Sequence, residues 1–166
     1  MGYHMEKTEN YLQVLEQSLE KKKRILQEIV SINEIQKNSV SGDKMDEETF
    51  DKSIADKDLL IEQINKLDEG FSTVYDRVRD YISSPDNKEK NKELIQRLQN
   101  LITKVTDLSM KVSRQEKENQ TLVMKKLSDS KKEVVQARSR SKAASSYYNN
   151  MNKMNYVDPQ FMDHKK

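Results

Sequence analysis

The chain has 166 residues, of which 34% are hydrophobic and 35% charged, with three Gly, two Pro, no Cys and no Trp. This composition predicts an almost entirely helical protein, and the mean hydropathy of −1.00 predicts elongated helices that share a thin apolar seam. The lack of Cys excludes disulfides and thiol catalysis. The sequence contains neither a long apolar run nor a basic segment followed by an apolar one, so we predict no membrane span and no secretory signal. We therefore expect one helical domain with tails, and the lack of Cys fits a reducing compartment.

A first helix is predicted over residues 6–38, because apolar side chains follow one another three and four positions apart, except at Lys22. The seam residues are Leu12, Leu15, Leu19, Leu26, Ile29 and Asn33. The residues that broaden the stripe near its end are Ile25, Val30, Ile32 and Ile35. A turn over residues 39–43 should make the first two helices antiparallel neighbours. Residues 1–5, MGYHM, resemble an expression scar and are set aside.

The strongest pattern covers residues 46–82, which predict a helix of about ten turns. Its apolar stripe is three positions wide, as is typical of a helix packed against two neighbours. Asp46 is the expected N-cap, and the Ser-Ser-Pro sequence at residues 83–85 should end the helix. The stripe consists of Phe50, Ile54, Leu60, Ile61, Ile64, Leu67, Phe71, Val74, Tyr75, Val78, Tyr81 and Ile82.

Three residues interrupt this pattern. Lys57 and Asp68 occupy positions of the stripe, and Gly70 lies inside the predicted helix, where it costs about 1 kcal/mol relative to Ala. We interpret Gly70 as a surface glycine or a close helix crossing, with a hinge as the alternative.

A third helix is predicted after residues 85–87, antiparallel to the second, with a two-sided stripe that ends at Val112. The fold class is therefore all-α, an elongated antiparallel bundle of three long helices over residues 6–112. The residues expected to hold it together are Leu26, Ile29, Ile61, Ile64, Phe71, Leu98, Leu101 and Val105.

Residues 113–166 are predicted to form an extended helix and a flexible, partly disordered or helical C-terminal binding arm. No apolar residue occurs in residues 113–121, so the helix there should leave the bundle or have every face in water. Residues 122–137 are again amphipathic. The remaining residues lack a 3.6-residue period yet hold aromatic and Met side chains suited to binding.

Nothing in the sequence assembles an active site, and we expect neither an enzyme nor a cofactor or metal site. His4 lies in the segment set aside and His164 near the C-terminus, so neither is a positioned base or ligand. The basic residues and tyrosines in residues 125–166 resemble a surface for single-stranded nucleic acid, but the net charge of this segment is only +6 and acidic residues interrupt it. We therefore expect no nucleic-acid partner.

The chain resembles FlgN-type flagellar export chaperones over nearly its whole length after residue 5. The most specific parts are residues 54–71, IADKDLLIEQINKLDEGF, and the ending SYYNNM followed by YVDPQFMD. The resemblance implies a cytosolic chaperone that binds the C-terminal helical region of flagellar hook-filament junction proteins, keeps them monomeric and delivers them to the type III export gate. A structural coiled coil that self-associates into a homo-oligomer is the first alternative, and a nucleic-acid-binding helical protein is a second, less favoured one.

In the family the resemblance points to, the C-terminal region holds the substrate and a tyrosine there docks to the cytoplasmic domain of the export gate. The matching region here starts near Leu122, and its first part is aliphatic while its end is aromatic, which suggests two separate roles. The candidates for substrate binding are Leu122, Val123, Leu127, Val134 and Val135. The candidates for gate docking are Tyr147, Tyr148 and Met151.

Overall fold

The computed structural model describes residues 2–129, with side chains from residue 10 onward. Four helices form in this part of the chain: α1 at Gly2–Ser41, α2 at Glu47–Ser83, α3 at Pro85–Lys90 and α4 at Lys92–Ser128. The predicted all-α class is confirmed. The predictions for residues 130–166 lie outside the described residues.

The first helix is longer than predicted at both ends. It begins at Gly2, inside the segment set aside as a scar, and it includes three residues of the predicted turn. At its C-terminal end α1 extends beyond residue 38 because Val40 continues the spacing of the seam and is fully buried. The turn consequently moves to residues 42–46, where the backbone N–H of Asp46 donates to the Ser39 carbonyl oxygen at 2.8 Å.

The boundaries predicted for α2 are confirmed. The Asp46 carboxylate accepts a hydrogen bond from the backbone N–H of Thr49 at 3.2 Å, which satisfies one of the free donors at the helix start. Ser84 is extended and ends the helix. The predicted third helix is divided, because the short α3 stops at Asn91, whose side-chain amide donates to the Asn87 carbonyl oxygen at 2.9 Å.

The three long helices run up, down and up around a shared seam. Contacts such as Gln36 with Ser53 and Lys22 with Asp68 show that α1 and α2 are antiparallel. Arg97 contacts Glu16 and Asn119 contacts Asn33, so α4 runs parallel to α1. Helix α4 is therefore antiparallel to α2, as predicted. Helix α1 packs closely against both of the other long helices.

The buried apolar side chains form two clusters. The main cluster extends over most of the bundle and contains Leu12, Leu15, Leu19, Leu26, Ile29, Ile61, Ile64, Tyr75, Val78, Leu98, Leu101, Ile102, Val105 and Val112. The end cluster lies near the α1–α2 turn and contains Val40, Phe50, Val123 and Leu127. Seven of the eight predicted core residues are buried. Phe71 is the exception: it is only half-buried and stacks on Tyr75 with ring centroids 6.4 Å apart.

Gly70 is exposed within an unbroken α2, and a Cβ added there would meet nothing within 4 Å. The close-crossing interpretation is therefore wrong. Because Ala fits the space and restricts the unfolded chain, we expect Gly70→Ala to raise the free energy of unfolding by about 0.5 to 1 kcal/mol in urea denaturation. Ser72→Ala, at another exposed position of the same helix, is the control. A loss of stability in Gly70→Ala would contradict the open helical environment.

Candidate functional site

One side of the polar segment 113–121 stays inside the bundle. Gln115 is 9% exposed, Glu116 2% and Asn119 1%. The prediction that this part of the helix leaves the bundle or has every face in water is therefore wrong, and the bundle continues to Ser128 and not only to residue 112. The physical reason is that facing polar groups on α1 and α2 take the place of water.

Lys57 is the centre of these facing groups, and its side chain is fully buried. Its ammonium donates to both carboxylate oxygens of Glu116, at 2.9 and 3.1 Å. It also donates to the side-chain oxygens of Asn33 at 2.9 Å and Gln36 at 2.8 Å. A buried cation is tolerated only when it is paired and its donors are satisfied, and this geometry meets both conditions.

Further hydrogen bonds extend the cluster across the three long helices. The Asn119 amide donates to the Asn33 carbonyl oxygen and to the Gln36 side-chain oxygen, both at 3.0 Å. The Gln36 amide donates to the Ser53 hydroxyl, and the Asn33 amide to Gln115, both at 3.1 Å. We call the set the polar layer; it comprises Asn33, Gln36, Ser53, Lys57, Gln115, Glu116 and Asn119. It separates the main cluster from the end cluster.

Burial lowers the pKa of Lys57 below its ordinary value, and the Glu116 carboxylate partly opposes this effect. An ammonium that gives hydrogen bonds to four oxygen atoms has little freedom to reach a substrate. The layer is therefore a structural connection between helices, and its chemistry is that of a satisfied ion pair.

A second ion pair bridges α1 and α2 inside the seam. The Lys22 ammonium lies 2.8 Å from the Asp68 carboxylate, and Lys22 is 5% exposed. Burial raises the pKa of Asp68 above its ordinary value of 3.8, and Lys22 opposes that shift only in part. Folding consequently favours the protonated form of Asp68.

This shift predicts a specific pH dependence. Between its ordinary pKa of 3.8 and its raised folded pKa, Asp68 binds a proton more tightly in the folded than in the unfolded chain. The free energy of unfolding should therefore rise on acidification through that window, relative to Asp68→Asn, which cannot titrate. Urea denaturation of both proteins from neutral pH to about pH 3.5 measures the difference. Asp107→Asn, at an exposed position, is the control, and a difference that falls on acidification would contradict the prediction.

The predicted substrate-binding residues divide between the bundle and the undescribed part. Val123 is 3% and Leu127 8% exposed, both in the end cluster, while Leu122 is partly buried against it. These side chains hold the end of α4 against Phe50 and are not part of a free arm. Val134 and Val135, like the predicted docking residues Tyr147, Tyr148 and Met151, lie outside the described residues.

An uncovered apolar surface lies elsewhere, on the side of α1 that faces away from α4. Glu16 and Glu34 contact α4. Ile25 is nine residues from each of them, or two and a half helical turns, so it lies on the opposite side of α1. Exposed or half-buried apolar side chains follow this side of α1 and the adjoining surface of α2. We call this surface the open face; its residues are Val14, Ile25, Ile32, Ile35 and Leu67.

Exposure makes the open face a candidate binding site. Val14 is 44% and Ile35 52% exposed, and no other described helix packs on this side of the α1–α2 pair. Large apolar side chains grouped on one surface are typical of a protein interface. The sequence pattern includes Ile32 and Ile35 in the broadened stripe but does not show whether another helix covers them. Only the position of α4 shows which side of the stripe remains open.

Over residues 2–129 no helix is long and apolar enough to cross a bilayer, and no group of three or more His, Asp or Glu side chains is placed to hold a metal ion. Comparison of the chain with family models, with curated proteins and with solved structures gives no match. The class of protein that the fold defines is an all-α helical bundle.

Proposed function

We propose that the protein is a cytoplasmic export chaperone that binds the C-terminal helical region of flagellar hook-filament junction proteins and delivers them to the type III export gate. The sequence resemblance supplies the identity of the partners. The observation that carries the binding role is the open face, because an apolar surface on a long helical pair suits the apolar stripe of a partner helix. In the described part of the chain Val14 and Ile35 remain exposed there, and the other three side chains are half-buried.

The rest of the bundle supports this role by holding the two helices rigidly. The polar layer and the Lys22–Asp68 pair fix α1 against α2 at two levels, on either side of Ile25. A surface that is already ordered loses less conformational entropy when a partner binds. We therefore assign substrate binding in this proposal to the open face, since Val123 and Leu127 are occupied in the end cluster.

Gate docking remains assigned to Tyr147, Tyr148 and Met151, because large amphipathic side chains dominate small interfaces. A pull-down with the cytoplasmic domain of the export gate tests this assignment. Tyr147→Ala with Tyr148→Ala should abolish capture while binding of the junction protein persists. Tyr3→Ala, at the other end of the chain, is the control.

Titration calorimetry tests the substrate role. The full chain should bind the C-terminal helical segment of a hook-filament junction protein saturably and in a one-to-one ratio. Val14→Ser with Ile35→Ser should weaken binding about tenfold or more, because each exposed apolar side chain that a partner buries contributes on the order of 1 kcal/mol or more. Met110→Ser is the control, since Met110 is equally exposed, at 54%, on α4.

Two results would contradict the proposal. One is an absence of binding by junction-protein segments. The other is a concentration-dependent increase in the mass of the chain alone in sedimentation, which would favour the self-associating coiled coil.

A further inference from the structure

The open face contains a groove between α1 and α2 with an unusual charge pattern. The groove measures about 450 Å³ and is lined by Lys21, Arg24, Ile25, Gln63, Lys66 and Leu67. Its apolar part is formed by one side chain from each helix, Ile25 and Leu67. All three charged residues that line it are cations.

These three cations form no ion pair with the described part of the chain. The neighbouring Lys22 pairs with Asp68, and Lys23 pairs with Glu20 at 3.1 Å. By contrast, no described residue forms an ion pair or hydrogen bond with the side chains of Lys21, Arg24 or Lys66. Glu20 and Glu28 lie four residues before and after Arg24 on α1, and Glu62 lies four residues before Lys66 on α2, but none of these carboxylates forms an ion pair with the three lining cations. The groove therefore has an apolar floor and a rim of three cations that form no ion pair with the described residues.

We propose that this groove binds an amphipathic helix of a partner protein whose apolar stripe is flanked by Asp or Glu. Apolar side chains of the partner would cover Ile25 and Leu67, and its carboxylates would pair with the three rim cations. Charge complementarity of this kind sets the choice and orientation of a partner more than the total affinity. The inference rests on the proposed function in taking a helix as the bound partner, and it adds the charge of that helix.

The same argument disfavours the chain's own C-terminal part as the occupant. Residues 130–166 contain eight Lys or Arg and three Asp or Glu, a net charge of +5. Like charges placed opposite the rim would repel, whereas an acidic helix is attracted, especially at low ionic strength.

The test uses two synthetic helical peptides that share one Leu stripe. One has Glu at the flanking positions and the other has Lys there. The full chain should bind the Glu peptide about tenfold or more tightly than the Lys peptide at low salt, with a smaller ratio at high salt, in fluorescence anisotropy titrations. Methyl NMR signals of Ile25 and Leu67 should shift on binding. Equal affinities, or shifts confined to another surface, would overturn the proposal.

A charge-reversed variant sharpens the result. Lys21→Glu with Lys66→Glu should invert the preference toward the Lys peptide. The matched control Lys104→Glu with Lys111→Glu changes two exposed lysines of α4 and should leave the preference unchanged. An unchanged preference in the groove variant would overturn the proposal, and circular dichroism of both variants checks that the helices are retained.

Other occupants give distinct results. Because the chain has no Cys, a spin label attached at Ser139→Cys reports on the C-terminal part alone. Broadening of the Ile25 and Leu67 signals in the free chain would place that part in the groove, and shifts that depend on protein concentration would indicate a second copy. Either result overturns the proposal.

Titration of a junction-protein segment separates this proposal from the proposed function. If the Glu peptide binds the groove but that segment does not bind the chain, the groove stands and the export role fails. If the segment binds without shifting Ile25 or Leu67, the export role stands and the groove assignment fails.

Discussion

Glu116→Leu is expected to lower the free energy of unfolding by about 3 to 5 kcal/mol, because it leaves the ammonium of Lys57 buried without its charged partner. The side chains of the pair are 0% and 3% exposed, so water cannot replace the carboxylate without opening the bundle. Glu116→Gln, which keeps an oxygen acceptor, should cost less. Urea denaturation with two independent probes, fluorescence of a label and circular dichroism, measures the loss.

The matched control is Glu118→Leu, two residues further along the same helix. Its carboxylate lies 3.8 Å from Lys37, and both side chains are about half exposed or more. Exposed pairs of this kind contribute between about 0 and 1 kcal/mol. Equal losses at positions 116 and 118 would show that the Glu116 carboxylate is hydrated and that the polar layer is not closed.

The second large effect is expected for Phe50→Ala, at about 3 to 5 kcal/mol, because Phe50 is 2% exposed and fills the centre of the end cluster. The substitution removes packing contacts between α2 and the last turns of α4. Hydrogen exchange at residues 120–128 should therefore accelerate more than exchange at residues 98–112.

Phe71→Ala provides the comparison for the same change of side chain. Phe71 is half-buried at the margin of the main cluster, so its removal leaves a smaller cavity and should cost less than removal of Phe50. If both substitutions cost the same, or if exchange at the end of α4 is unaffected by Phe50→Ala, the end cluster does not anchor α4.

Much of the fold follows from local patterns in the sequence. Helix α2 combines a broad apolar stripe with an N-cap at Asp46 and an extended Ser84, and each of these signals acts within a few residues. The same pattern predicts Ile61 and Ile64 as core residues, and both are buried. It fails at Phe71, because a helical stripe three positions wide does not reveal which of its edges another helix covers.

The polar layer was missed because the seam was traced through apolar residues alone. The spacing of four, three and four residues in fact continues from Val112 through Glu116 and Asn119 to Val123. Lys57 and Glu116 are separated by 59 residues, so no local rule pairs them. A polar stretch that keeps the seam spacing, together with a lone Lys in a facing stripe, is the signal that could have identified the pair.

The same geometry explains why the open face was not predicted. Ile32 and Ile35 continue the stripe of α1, and periodicity alone does not show which edge of that stripe another helix covers. Their exposure depends on α4 packing against the side of α1 that carries Glu16 and Glu34. That choice of side is a tertiary property.

The buried Lys57 cation also restricts how the helices can slide along one another. A shift of α4 by one heptad would place Ser109 or Val123 opposite Lys57 in place of Glu116, and either arrangement leaves an unpaired buried charge. In a uniformly apolar seam such a slip would exchange one aliphatic contact for another at little cost, whereas here it forfeits about 3 to 5 kcal/mol. The Lys57–Glu116 pair thus discriminates against misaligned bundles, a contribution to the uniqueness of the native alignment that a measurement of total stability would not reveal.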